Sequence, residues 1–129
     1  MEIKEPKYRF GGNWEELAVL FNYEIHEHDQ DWTYTIAEPE RIDEYISAYD
    51  NEIKNDDTKL SLMEMIIQAL EGQRSIELIK LKWQLVKPLL LKDFELNQYT
   101  IFYWSCWNNE NIEDSWAVTP FFRDLWVNK

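Results

Sequence analysis

The chain has 129 residues, the length of one ordinary domain, and 45% of them are apolar. Twenty-five acidic residues against thirteen Lys and Arg give a net charge of −12. A field of this sign repels nucleic acid phosphates and anionic lipid heads, and it attracts a basic protein. We therefore expect a single domain over residues 1–129 that binds a basic protein and neither nucleic acid nor membrane.

The N-terminal sequence and the cysteine content predict a cytoplasmic protein. The first ten residues, MEIKEPKYRF, lack the apolar core and the cleavage site of a signal peptide. No charge-free run approaches the roughly 20 apolar residues of a membrane span. With a single cysteine, the chain cannot form an internal disulfide.

The predicted elements begin with a helix over 14–23. Asn13 is its expected N-cap, and Glu16 stands three residues later, as in a capping box. Apolar and aromatic residues then alternate with threonine over 32–36, which predicts a short strand. Its partner would come from the first ten residues or from the segment after the first helix.

The next two predicted helices form an αα-hairpin. Pro39 suits the first position of a helix over 39–50, whose apolar residues lie on one side. A second helix follows, with Asp57 as its expected N-cap and Gly72 as its end. Because the loop between them is short and polar, we expect the two helices to pack antiparallel.

A long helix over 76–91 is expected to be buried on two sides, because it carries a second apolar row (Leu78, Leu81, Leu85, Leu89). Pro88 predicts a kink or an end near Lys87. The last helix is expected to start at Pro120, with Thr119 as N-cap.

The stretch YTIFYWSCWNN, Tyr99 to Asn109, is compatible with a strand or a helix, since both of its faces are apolar. A helix over 94–107, with Asp93 able to cap it, is favoured because the segment is long for a strand. It would complete a second αα-hairpin with the preceding helix. The sequence thus predicts a mainly α fold of five to six helices in αα-hairpins, similar to a helical repeat, with room for a short strand or hairpin near the N-terminus.

Two features of the sequence allow chemistry but do not require it. Cys106 has no cation within ten residues on either side, so nothing near it in sequence lowers the pKa of a nucleophilic thiol, and burial is expected instead. His26 and His28 lie two residues apart, as a metal pair would on an extended segment. Zinc sites usually have three or four His or Cys ligands, which makes a solvated polar loop the preferred interpretation and leaves this pair a weak metal candidate.

The chain contains no glycine-rich phosphate loop, no Gly-x-Ser-x-Gly and no His-Glu-x-x-His. Carboxylate pairs are so abundant that most must be caps or solvated faces. We therefore expect neither an enzyme nor a cofactor.

The best-supported function is binding of a basic protein through the acidic 38–57 region. The expected contacts are carboxylates of the helix 39–50 and of the loop after it, together with the tryptophan at the polar end of the aromatic stretch: Glu40, Asp43, Glu44, Asp50, Glu52, Asp56, Asp57 and Trp107. Tyr45 and Tyr49 could anchor such an interface. The preferred interpretation of both is that they belong to the core.

In size, charge and aromatic content the chain resembles the small, acidic, cytosolic immunity proteins that neutralise bacterial toxins by occluding their active sites. The segments PERIDEYISAYDNEIKNDDTKLSLMEMIIQAL and YTIFYWSCW, followed by VTPFFRDLW, also resemble those of uncharacterised bacterial helical proteins. The resemblance implies an inhibitor of a basic partner such as a toxin nuclease. No motif is diagnostic of a named immunity family, so no functional residue is carried over. The alternative is a small helical scaffold or oligomer subunit without catalytic activity, and the oligomeric state stays open.

Overall fold

A computed structural model describes residues 3–9, 11–24, 36–107 and 115–129. Within these ranges the chain forms six α-helices, one 3₁₀ turn and no strand, which confirms the predicted mainly α fold. The predicted strand over 32–36 lies outside the described residues except for Ile36. The helices are α1 Trp14–Phe21, α2 Ile42–Asn51, α3 Asp56–Glu71, α4 Ile76–Lys92, α5 Phe94–Ser105 and α6 Thr119–Asn128, and the 3₁₀ turn is Pro39–Arg41.

The chain divides into two compact units, so a single domain over 1–129 stays a prediction. One unit, Phe10–Gly72, contains α1, the 3₁₀ turn, α2 and α3. The other combines Met1–Arg9 with Gln73–Lys129 and contains α4, α5 and α6. We call the first the acidic unit and the second the aromatic unit, because twelve of the twenty aromatic residues belong to the latter.

Helix α3 is the centre of the acidic unit, and both α1 and α2 pack against it. Its side chains from Leu60 to Ile67 are all buried, so this helix has almost no solvent face. Tyr45 and Tyr49 of α2 have no exposed surface, which agrees with their assignment to the core. The α2 and α3 pair is the αα-hairpin that the sequence predicts.

The loop before α1 is held directly on α3. The hydroxyl of Ser61 donates to the carbonyl of Gly12 at 2.8 Å, and the amide of Gly12 donates to the carbonyl of Asp57 at 3.2 Å. A Cβ at Gly11 would clash with the backbone nitrogen of Ser61 and lie 2.7 Å from the Asp57 carbonyl. Glycine is therefore required at position 11 by the close approach of two backbones.

The predicted N-cap of α3 is wrong, and Asn13 stands at the predicted N-cap position of α1 without the predicted side-chain bond. Asn55 rather than Asp57 caps α3, since its side chain accepts from the amides of Asp57 and Thr58. Asn13 adopts a left-handed conformation and makes no side-chain cap, so the capping box before α1 does not form. Glu16 instead accepts a hydrogen bond from the Thr58 hydroxyl at 3.0 Å.

Two further caps in the aromatic unit also differ. Asp93 makes no side-chain cap to α5. Thr119 is already the first residue of α6, and its hydroxyl donates to the carbonyl of Trp104 at 2.9 Å. For Glu16 and Thr119, a tertiary contact that the sequence does not display replaces the expected local bond.

In the aromatic unit α5 packs mainly against α6, while α4 contributes Trp83 to rings of α6. The helix α4 continues through Pro88 to Lys92, so it does not end near Lys87, and the alternative of a kink there stays a prediction. The expected burial of α4 on two sides is wrong. Leu81 and Leu85, from the second apolar row, are 55% and 49% exposed.

The stretch from Tyr99 onwards is helical, as favoured from the sequence, up to Ser105. Cys106 then takes a left-handed conformation with φ of 50° and ends the helix. Arg123 of α6 donates to the carbonyls of Ser105 and Cys106 at 2.6 and 2.7 Å. A cation at the carboxyl end of a helix satisfies carbonyls that have no partner within the helix and complements the helix dipole.

Candidate functional site

The acidity of the protein is concentrated in one unit. Residues 10–72 carry sixteen of the twenty-five acidic residues and only three of the thirteen basic ones, so their net charge is −13. The aromatic unit holds the other nine acidic and ten basic residues and is close to neutral. The negative field of the whole chain therefore originates in the acidic unit.

The seven carboxylates predicted to contact a partner all belong to the acidic unit, and all seven are exposed: Glu40, Asp43, Glu44, Asp50, Glu52, Asp56 and Asp57. Trp107, the eighth predicted residue, is half-buried and belongs to the aromatic unit. The structure thus brings the carboxylates onto one unit and leaves their role in binding a prediction.

Arg41 neutralises part of this acidic set. Its Nε donates to Glu44 at 2.8 Å and its Nη1 lies 3.4 Å from Glu38. The hydrogen bond from Arg41 holds the pKa of the exposed Glu44 carboxyl below its usual range. The guanidinium also lies 4.9 Å from the ring centroid of Tyr23. Glu44 is therefore already paired, which makes it a weaker contact for a partner than its exposure suggests.

A tyrosine pair fixes the segment that leads into the 3₁₀ turn. The Tyr23 hydroxyl donates to the Glu38 carboxylate at 2.6 Å, and the Tyr45 hydroxyl lies 2.5 Å from it. Because the single proton of Tyr23 goes to Glu38, the Tyr45 hydroxyl donates to Tyr23 and accepts from the Glu38 amide at 3.1 Å. Burial and these hydrogen bonds raise the pKa of Tyr23 strongly. This network has a structural role, since the Glu38 carboxylate is already occupied by the Tyr23 hydroxyl and the Arg41 guanidinium.

An apolar groove lies on the acidic unit, and sequence reasoning did not find it. Val19 and Leu20 of α1 line it with Ile53, and the carboxylates of Glu16 and Glu52 complete it around a cavity of about 390 Å³. Val19 is 81% exposed, the highest value among the exposed large apolar side chains. Only Glu52 was singled out from the sequence. For the apolar lining, the sequence signal was the pair Val19-Leu20, which directly follows the buried Leu17 and Ala18 in α1.

A second cavity, of about 410 Å³, lies in the aromatic unit, and we call it the aromatic cavity. Its aromatic lining comes from α5, the residues after it and the segment before α6: Tyr99, Phe102, Tyr103, Trp107 and Trp116. Glu5 and Cys106 complete the lining. Trp107, predicted as a partner contact, is therefore part of a cavity wall.

Cys106 is half-exposed, so its expected burial as a small core residue is wrong. Its Sγ lies 3.8 Å from both the Tyr103 carbonyl and the Thr119 hydroxyl. No basic side chain is among its hydrogen-bonding partners, although Arg123 holds its backbone carbonyl. The described hydrogen-bonding partners of Sγ, a carbonyl and a hydroxyl, are not general bases for a nucleophilic thiol.

Within the described ranges, no group of three His, Cys, Asp or Glu side chains could hold a metal ion. His26 and His28 lie outside those ranges, so their pairing stays a prediction. None of the described helices has the length and apolar character needed to cross a membrane. Comparison of the chain with protein-family models, with curated proteins and with solved structures finds no match.

Proposed function

We propose that the protein is a binding module for a basic protein partner and that the acidic unit supplies the contact surface. The observation that carries the proposal is the separation of charge, a net −13 on residues 10–72 against near neutrality elsewhere. Such a surface steers a cationic partner and raises its association rate. Occlusion of a basic toxin in the cytoplasm, in the manner of immunity proteins, is the biological setting that suits this chemistry.

The apolar groove supplies apolar anchor residues for an interface, in addition to the charge of the acidic unit. Interfaces draw most of their affinity from a few apolar or aromatic anchors, and a polar rim excludes water around them. Val19 and Leu20 are exposed apolar side chains beside the carboxylates of Glu16 and Glu52. An arginine or lysine of the partner can lay its aliphatic stem on the two apolar side chains and direct its charge to the carboxylates.

The test of the acidic surface is capture of a basic partner at low salt, followed by affinity measurements with paired variants. Neutralising Glu40→Gln and Glu52→Gln together removes two exposed charges of the acidic unit. We expect at least tenfold weaker binding, with a shallower salt dependence. The matched control is Glu77→Gln with Glu95→Gln, exposed residues of the aromatic unit, for which we expect less than a twofold change.

A separate variant tests the role of the apolar groove in binding. Val19→Ala leaves the charge unchanged and removes little buried surface, so stability is retained, while affinity for the partner falls severalfold at every salt concentration. Equal losses for the two charge pairs would show that only net charge matters. Failure to retain any basic protein at low salt would refute the proposal.

A second candidate function is that of a small helical scaffold or oligomer subunit. It is favoured by the exposed leucines of α4, where Leu81 and Leu85 lie one turn apart on the solvent side. Sedimentation distinguishes the functions, since self-association that is lost in Leu81→Ser supports the scaffold and a monomer at high concentration excludes it.

A further inference from the structure

We propose that the aromatic cavity binds a quaternary ammonium group. This site goes beyond the proposed function, because the cavity belongs to the aromatic unit and contains none of the seven exposed carboxylates of the acidic unit. Its volume of about 410 Å³ is within the range of roughly 300–1,000 Å³ found for small-molecule sites.

Most of the described residues that line the cavity are aromatic, and none of them is aliphatic. Tyr103 and Trp116 lie 5.5 Å apart with 30° between their planes, and both line the cavity. Trp116 is itself supported from behind by the fully buried Trp104, at 4.4 Å between centroids. Ring faces carry negative electrostatic potential, so several of them around one space attract a cation.

One aromatic ring of the cavity already carries a cation. The guanidinium of Arg123 lies 5.1 Å from the centroid of the Trp107 ring and is fixed by two backbone carbonyls. Arg123 does not line the cavity, and its charge is balanced by the carboxyl end of α5. The ligand therefore rests on the remaining rings, chiefly those of Tyr103 and Trp116.

Glu5 contributes a negative charge to the lining of the cavity. Among the lining residues that the structure describes it is the one with a charge, and its carboxylate favours a positive ligand and repels an anionic one. Burial, followed by the field of Glu5 and of two neighbouring tyrosines, raises the pKa of Tyr99. The part of this rise in pKa that comes from the Glu5 charge has the sign that also favours a cation in this space.

Five of the seven described lining residues are aromatic, and ring faces suit a cation without N–H groups better than one that needs hydrogen-bond acceptors. A primary ammonium loses three hydrogen bonds to water on entering, and ring faces replace them poorly. A trimethylammonium group has no such bonds to lose, and its methyl groups pack on the aromatic walls. The chemistry shared by choline-like small molecules and by trimethylated lysine is therefore the chemistry that the cavity recognises.

The experiment compares choline with its uncharged isostere 3,3-dimethyl-1-butanol, which has the same shape and no charge. Titrations are followed by the NMR signals of the tryptophan indoles, two of which belong to cavity residues. We expect choline to saturate and to bind at least fivefold tighter than the isostere. Equal affinity would overturn the proposal, since it would define an apolar hole, and so would the absence of any shift of the Trp107 and Trp116 indoles.

Two variants test the residues assigned to the site. Glu5→Gln, at an exposed position, should weaken choline severalfold and leave the isostere unchanged, while the matched Glu77→Gln on α4 should alter neither. Trp116→Leu should abolish choline binding. If that variant unfolds, the Glu5→Gln result decides, because a choline affinity unaffected by the loss of this charge contradicts the assignment.

A final comparison separates the two sources of the ligand. A peptide with trimethyl-lysine that binds tighter than choline, while the unmodified lysine peptide does not bind, assigns the cavity to a methylated protein. Choline binding tighter than both peptides assigns it to a small molecule. Tighter binding of the unmodified lysine peptide than of choline refutes selection for a quaternary ammonium. None of these results depends on the acidic surface, so failure here leaves the proposed function standing.

Discussion

Replacing Arg123 tests whether the end of α5 is held by the fork of a guanidinium. Nε and Nη2 donate to the carbonyls of Ser105 and Cys106 at 2.6 and 2.7 Å, and the guanidinium lies 5.1 Å from the Trp107 ring centroid. Hydrogen bonds to a charged group contribute about 1.5–3 kcal/mol each. The cation–π contact adds about 0.5–1 kcal/mol.

The stability lost in Arg123→Ala is expected to be smaller than the full sum of these contributions. Ser105 is fully buried and Cys106 only partly, so the loss is expected to be larger at the Ser105 carbonyl than at the Cys106 carbonyl. We therefore expect the free energy of unfolding to fall by about 3 kcal/mol, near the lower limit of the sum. Arg123→Lys keeps the charge but replaces two parallel donors with one ammonium, and about half of that loss should remain.

Urea unfolding followed by tryptophan fluorescence measures the change, because five of the seven tryptophans lie in residues 73–129. Arg74→Ala is the control for the loss of one positive charge at an exposed position, and it should stay within about 0.5 kcal/mol of the unmodified protein. A loss for Arg123→Ala no larger than for Arg74→Ala would refute the reasoning. Full stability of Arg123→Lys would show that charge suffices without the fork.

Two further predictions concern the acidic unit. Gly11→Ala should lower the free energy of unfolding in urea by about 1–3 kcal/mol, because its Cβ meets the backbone of Ser61. The control Gly12→Ala should be neutral, because its Cβ meets nothing within 4 Å. Equal effects of the two variants would contradict the clash. The raised pKa of Tyr23 keeps its proton in the folded state while the unfolded chain releases it near pH 10, so stability falls as the pH rises above about 10. Tyr23→Phe should flatten that alkaline fall, and Tyr8→Phe, at an exposed ring, should not; a fall of unchanged steepness in Tyr23→Phe would contradict the assignment.

The helices could be predicted because their information is local. The one-sided apolar stripe of α2 and the glycine after α3 place these elements within a few residues of their observed bounds. Some side-chain capping bonds could not, because the polar groups concerned find partners far away in sequence. Glu16 accepts from Thr58, and the Thr119 hydroxyl donates to the Trp104 carbonyl.

The behaviour of α4 shows a different limit. Two apolar rows on a helix normally indicate burial on two sides. Here one row packs through Trp83 and Val86, and the other leaves Leu81 and Leu85 in solvent. A sequence pattern states that a side chain is apolar, but it does not state that the chain supplies a neighbour to cover it. Such exposed leucines indicate interaction surfaces, which is why the scaffold function keeps its place beside the proposed one.

The two candidate sites also differ in how much of each could be predicted from the sequence. Exposure of the seven carboxylates could be anticipated, since charged residues remain at the surface unless they are paired. The aromatic cavity could not, because it needs Glu5 from the start of the chain, Tyr103 from α5 and Trp116 from the segment before α6. Each residue has an ordinary structural interpretation when it is taken alone. Their common lining of one cavity gives the aromatic stretch a binding role that a fully buried helix would not have.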